Sequence, residues 1–232
     1  MRKKIILISL ISILVLIGAS LAFFSAYKNW SKPSVKILEP PKNLLKLEIK
    51  GKNLSAETLQ RFQEDFDEVK AILEKNPRNF NNLLFLGVVK KGVGDYEGTR
   101  DVLEYAGKLR PKSSSPFFNL GDLYGYFLND PQKAETNFLK ALENDPYSYS
   151  IFLNLADFYR YKYPGKEDLY DKVLLSGLER IPEEVNIIAA LAAYYRETGQ
   201  VDKAITFYER LLKLNPLNET AKEDLAELKA KK

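Results

Sequence analysis

Five prolines divide most of this chain into nearly equal parts. Pro77, Pro111, Pro146, Pro182 and Pro216 are separated by 34, 35, 36 and 34 residues. A fixed period near 34 is what stacked helix pairs produce, because each pair leaves an apolar face that only its neighbour covers. The predicted class is therefore all-α. The two ends of such an array have one neighbour each and need a cap with a polar outer face.

Within each period the same residue types return at the same offsets. The clearest unit, 185–218, carries Ile188, Leu191-Ala192, Tyr195, Gly199, Ala204, Tyr208, Leu211 and Pro216. Unit 149–184 carries Phe152, Leu155-Ala156, Tyr159, Tyr170, Leu174, Gly177 and Pro182, with two extra residues around Pro164-Gly165. Unit 114–148 carries Phe117, Leu120-Gly121, Tyr124, Ala134, Phe138, Ala141 and Pro146, with one extra residue near Asn129-Asp130-Pro131. Unit 80–113, with Leu83, Leu86-Gly87, Lys90, Gly94, Thr99, Leu103, Ala106 and Pro111, is the most degenerate. Small residues at Gly87, Gly121, Ala156 and Ala192 let the two helices of a pair approach closely, and Tyr124, Tyr159 and Tyr195 fill the space beside them.

These offsets resemble the tetratricopeptide repeat family, whose unit runs large apolar, Leu-Gly or Leu-Ala, Tyr, Gly, Ala, aromatic, Ala and Pro. The resemblance covers residues 80–218. It implies a right-handed α-solenoid of helical hairpins that binds another protein and catalyses nothing. The chain departs from the pattern at Lys90, where the family has an aromatic, at Thr99 and Tyr170, where it has alanine, and in the lengthened second and third hairpin loops.

Upstream of the repeats, Leu59, Phe62, Phe66, Val69, Ile72 and Leu73 fall three or four apart, with Ser55 placed to cap and Pro77 to stop. This predicts an N-terminal packing helix over 55–78. Residues 219–232, with Ala221, Leu225 and Leu228, predict the C-terminal capping helix. Residues 27–54, broken by Pro33, Pro40, Pro41 and Gly51, read as a linker. The alternation Leu45–Lys50 fits a short strand, but nothing obvious pairs with it.

Behind the basic head of residues 1–4 lies an uncharged apolar run over 5–26. Its 22 residues span roughly 33 Å as a helix, enough to cross a bilayer core of about 30 Å. A single transmembrane helix in contact with the lipid bilayer is expected. The rival is a cleaved secretory signal; the run is long for one, and Phe23, Phe24 and Tyr27 crowd the cleavage region. The flanking charges nearly balance, and the basic head favours an extracytoplasmic repeat domain, with the opposite orientation left open.

Charge is unevenly spread. Residues 27–54 hold seven lysines against two glutamates, whereas residues 55–232 hold 25 basic and 29 acidic side chains, a net of −4. A mildly acidic body disfavours nucleic acid as a partner. The chain has no cysteine and no histidine. That removes thiolate nucleophiles, disulfides, and thiolate or imidazole metal ligands. No phosphate loop, dinucleotide fingerprint or zinc spacing is present, so neither a cofactor nor a metal is expected.

The first helix of each hairpin lines the concave face of such a solenoid, so its outward residues are the candidate partner-binding groove. They are Phe118, Asn119, Asp122 and Tyr126 in the second hairpin, Leu153, Asn154, Asp157, Arg160 and Tyr161 in the third, and Asn186 and Arg196 in the fourth. The resemblance implies that Asn119 and Asn154 contact a peptide backbone. The carboxylate clamp of some family members is not matched: its places carry Leu84, Val88, Asp122, Ser150 and Asn154, without cations. Asp122 and Asp157 with Tyr126 and Tyr161 point instead to an extended peptide with apolar and basic side chains. Asp122 and Asp157 share one repeat offset, which accounts for their recurrence without catalysis.

Overall fold

A computed structural model describes residues 38–231. The basic head, the apolar run 5–26 and the linker up to residue 37 lie outside the described residues. Among the described residues no helix is long and apolar enough to cross a membrane.

The described chain is helical, with no strand among these residues. Helix α1 spans Ala56–Lys75, and four hairpins follow: α2 (Phe80–Gly92) with α3 (Tyr96–Leu109), α4 (Ser115–Tyr126) with α5 (Pro131–Asn144), α6 (Tyr149–Lys162) with α7 (Tyr170–Arg180), and α8 (Val185–Glu197) with α9 (Val201–Leu214). Helix α10 (Glu219–Ala230) closes the C-terminal end. Helix starts follow capping chemistry. Ser55 Oγ accepts from Thr58 N at 3.1 Å, and the carboxylates of Asp95 and Asp130 accept from Gly98 N and Lys133 N, each at 3.1 Å. The lengthened third loop contains a 3-10 turn at Glu167–Leu169.

The two helices of each hairpin pack together, and successive hairpins pack on one another. Two buried clusters fill the array from α3 onward, one around Leu103, Leu120, Phe138, Leu155 and Phe158, the other around Phe152, Leu174, Ile188, Leu191, Leu211 and Leu228. Leu142 and Val173 pack against both, so the core is continuous from α3 to α10. The small residues sit where the helices are closest. A Cβ added at Gly87 would lie 3.1 Å from Leu103 Cδ2, and one at Gly121 would lie 2.7 Å from Phe138 Cγ. Ala156 and Ala192 are fully buried.

The tyrosines do more than fill space. Tyr124 in α4 donates its hydroxyl hydrogen bond to Glu104 in α3 at 3.0 Å, Tyr159 in α6 to Glu135 in α5 at 2.6 Å, and Tyr195 in α8 to Asp171 in α7 at 3.1 Å. Tyr208 in α9 repeats the arrangement with Asp224 of the capping helix at 2.7 Å. Each ring is buried in its own hairpin while its polar tip is satisfied by an adjoining element.

The linker shows the largest difference from the sequence reading. Residues 46–50 form no strand. Nor is the end of the linker a free tether: Leu44 is buried, and the main-chain N–H groups of Lys50 and Gly51 both donate to Val93 O, at 2.9 and 2.7 Å. The anomalous Lys90 and Thr99 are both buried as well. Thr99 Oγ1 donates to Asp95 O at 2.8 Å, which satisfies its hydroxyl inside the helix.

Two substitutions test the close approach. Alanine in place of helical glycine ordinarily gains about 0.8–1.0 kcal/mol of helix propensity. At Gly121 the new methyl group must displace the Phe138 ring, and overpacking of this kind costs about 1–3 kcal/mol. Gly121→Ala therefore lowers stability, by on the order of 1 kcal/mol, in urea unfolding followed by circular dichroism. Ala192→Leu, with no propensity gain to offset it, costs the full ~1–3 kcal/mol.

Candidate functional site

The first helices α4, α6 and α8 pack on one another in succession, so they form one continuous layer of the array. The outward residues of this layer fall into two kinds. Phe118 and Leu153 are walls: Phe118 packs edge-on against Phe138 at a ring separation of 6.0 Å, and Leu153 leans on the C-terminal core. Asn119 and Asn154 each donate a side-chain N–H to the carbonyl four residues earlier, Ser115 O at 3.0 Å and Ser150 O at 2.8 Å. Asn186 is held at the start of α8 by Glu184 Oε1 at 2.7 Å. Arg196 is ion-paired to Asp224 of the capping helix.

The remaining residues share one electrostatic environment. Burial pushes the Tyr126 hydroxyl up to about 12, helped by the negative charges of Asp157 and Asp122. Lys162 Nζ lies 5.3 Å from the centre of the Tyr126 ring. Asp122 is compensated by Lys91, 2.7 Å away, whose ammonium also lies over Phe127 at 5.4 Å. Asp157 differs. It makes no hydrogen bond or ion pair among the described residues, and partial burial raises its carboxyl above the usual range although Arg160 pulls the other way. Beside it Tyr161 is 61% exposed.

Arg160 sits in an arrangement that repeat offsets alone do not show. Its guanidinium lies 5.0, 5.1 and 5.0 Å from the ring centres of Tyr161, Tyr170 and Tyr194, and it pairs with Glu197 at 2.7 Å. Tyr170, at the place of the family's alanine, packs at a tilt against Tyr194 with ring centres 4.5 Å apart. Tyr194 and Glu197 were absent from the sequence-derived set. Val88, 52% exposed on α2, belongs to the same class of surface residue.

Residues 115–148 and 185–228 each match the tetratricopeptide repeat. Over these two segments the chain is a tetratricopeptide repeat protein. Solved structures share the fold at low identity. MamA is 18% identical over 70% of this chain and 96% of its own, with a TM-score of 0.53. PilW, described as a widely conserved type IV pilus biogenesis factor, is 18% identical over 74% of this chain and 84% of its own, with a TM-score of 0.54. YrrB, described as a tetratricopeptide protein with an unusual peptide-binding site, is 15% identical over 72% and 84%, with a TM-score of 0.50. As a tetratricopeptide array the chain is a scaffold for protein–protein interaction, with a protein or peptide as its partner.

Two pH dependences follow. Native tyrosine values are raised, Tyr124 to about 12, by burial first and by the Glu104 hydrogen bond second. The staples therefore contribute fully below the unfolded tyrosine value near 10 and are lost as pH rises toward the folded one. Thermal midpoints measured between about pH 9 and pH 12 should fall, and Tyr124→Phe should flatten that fall. Asp157 has the same sign in a lower pH range. Its raised native value favours the protonated acid, so stability falls as pH rises through the carboxylate range and the penalty persists at neutral pH. Asp157→Asn should raise the midpoint at pH 7, with the gain vanishing once both states are protonated in acid.

Proposed function

We propose that the chain is a membrane-anchored tetratricopeptide scaffold that binds an extended peptide of a protein partner along the concave face formed by α4, α6 and α8. One observation carries the reading: Asp157 is a partly buried carboxylate without an ion-pair partner among the described residues, in an array where Asp122, Arg160 and Arg196 all have theirs. A group kept at a cost to stability is a candidate for binding. Its surroundings, Tyr126 and Tyr161, suit a basic side chain flanked by apolar ones. The anchor is the apolar run 5–26, and the repeat domain lies outside the cytoplasm in this reading.

A second reading is a fixed subunit of a membrane-associated assembly of translocon, envelope or pilus type, without a free groove. Exposed Leu139 and Leu175, 50% and 38% accessible on the second helices α5 and α7, favour it. The two readings differ in what a groove variant does.

Full-length protein purified from membranes is compared with a variant carrying Asp122→Lys, Tyr126→Ala and Asp157→Lys, each checked for helical content. Loss of co-purifying protein by about tenfold or more, equivalent to at least about 1.4 kcal/mol, is expected for the folded variant. Retention of the same partners at fixed stoichiometry sinks the groove reading and supports the subunit.

A further inference from the structure

The first hairpin differs from the other three where they carry tyrosine. Lys90 is 1% exposed there, and a buried ammonium needs acceptors for its three hydrogens. Asp95 Oδ2 supplies one at 3.0 Å, and the main-chain carbonyl of Lys46 supplies another. Asp95 already caps α3, so the pair is fixed to the turn between α2 and α3.

The Lys46 carbonyl arrives from outside the repeats, on the segment that precedes α1. A turn over 42–45 buries Leu44. Residues 50 and 51 then clasp the carbonyl of Val93 through two N–H groups. The turn is shaped for this approach: Gly94 has φ +80°, and a Cβ there would lie 2.6 Å from Gly51 N. Lys50 bridges the outside, 3.1 Å from Glu48, 3.5 Å from Asp95 and 3.3 Å from Glu97.

We propose that residues 44–51 form a releasable latch, in which the chain's own upstream segment is recognised by the Lys90–Asp95 pair and the Val93–Gly94 turn of the first hairpin. Apart from buried Leu44, the clasp is made of polar contacts at residues 46, 50 and 51, and this makes it reversible. A cap lifted from an apolar face leaves surface that water hydrates poorly, whereas a cap lifted from an ion pair leaves charges that water solvates well. The outer Lys50 bridges are exposed and weaken with salt. Opening releases eight residues, which add at most roughly 26–29 Å of extended chain. The latch stands whether or not the chain is anchored; its use as a control of reach rests on the anchored reading.

Amide hydrogen exchange on the full-length chain in detergent micelles tests this. The Lys50 and Gly51 amides should exchange at least about tenfold more slowly than unstructured ones. Raising salt from about 0.05 M to about 0.5 M should reduce that protection. Lys90→Met with Asp95→Asn should abolish it while α4 to α9 keep theirs. If that variant unfolds the first hairpin, Leu44→Ser with Lys50→Ser, outside every helix, decides by removing the protection alone. Unprotected amides at 50 and 51 in the unaltered chain, or protection unchanged in the Leu44/Lys50 variant, overturns the latch. The groove variant leaves these amides unaffected, so failure of the groove and failure of the latch are read separately.

Discussion

The array depends on a tyrosine that serves two hairpins at once. Its ring fills the gap beside the small residue where two helices of one hairpin touch, and its hydroxyl reaches a carboxylate on the hairpin before. An aliphatic side chain could do the first and not the second; a serine could do neither at that distance. Because the bonds from Tyr124, Tyr159 and Tyr195 point backward along the chain, the same interaction that orders each of these hairpins also fixes its rotation against its predecessor. The carboxylates are held in turn. Glu135, although burial pushes its acid upward, stays below the usual range because Lys166 and Tyr159 both donate to it.

Much of this was legible in the sequence, for a physical reason. The proline period and the small and aromatic offsets record contacts within a hairpin or between neighbours, and a repeating chain states each such contact several times. Gly87 against Leu103 and Gly121 against Phe138 are two statements of one rule. The carboxylate partners were not legible, because Glu104 sits at a different point of its helix from Glu135 and Asp171, and acidic residues are common on helix surfaces. The hold on the linker was least legible. It joins residues more than 40 positions apart, and half of it is made by main-chain carbonyls that carry no side-chain signature.

The candidate groove shows the same division. Repeat offsets placed Asp122 and Asp157 as equivalents, and by register they are. Their environments separate them, since Lys91 pairs with Asp122 from the first hairpin while no cation among the described residues forms an ion pair with Asp157. The difference arises from what the preceding hairpin offers, which a consensus does not encode. Arg160 is a similar case. Its surround of three tyrosine rings depends on Tyr170, a departure from the repeat pattern, so the residue that least resembles the family shapes the most individual part of the surface.

Lys90 completes this logic at the N-terminal end. Every later hairpin presents its tyrosine to a carboxylate of the element before it, but the first hairpin is preceded by a single helix and an irregular segment. A lysine has a longer stem that buries along the helix and a tip with three donors, which tolerates a mixed set of acceptors. Asp95 and the Lys46 carbonyl are such a set. The substitution that makes the first unit look degenerate by family pattern is therefore what allows an irregular segment to stand in for a missing repeat, with Gly51 and Gly94 providing the close passage of two main chains that this requires.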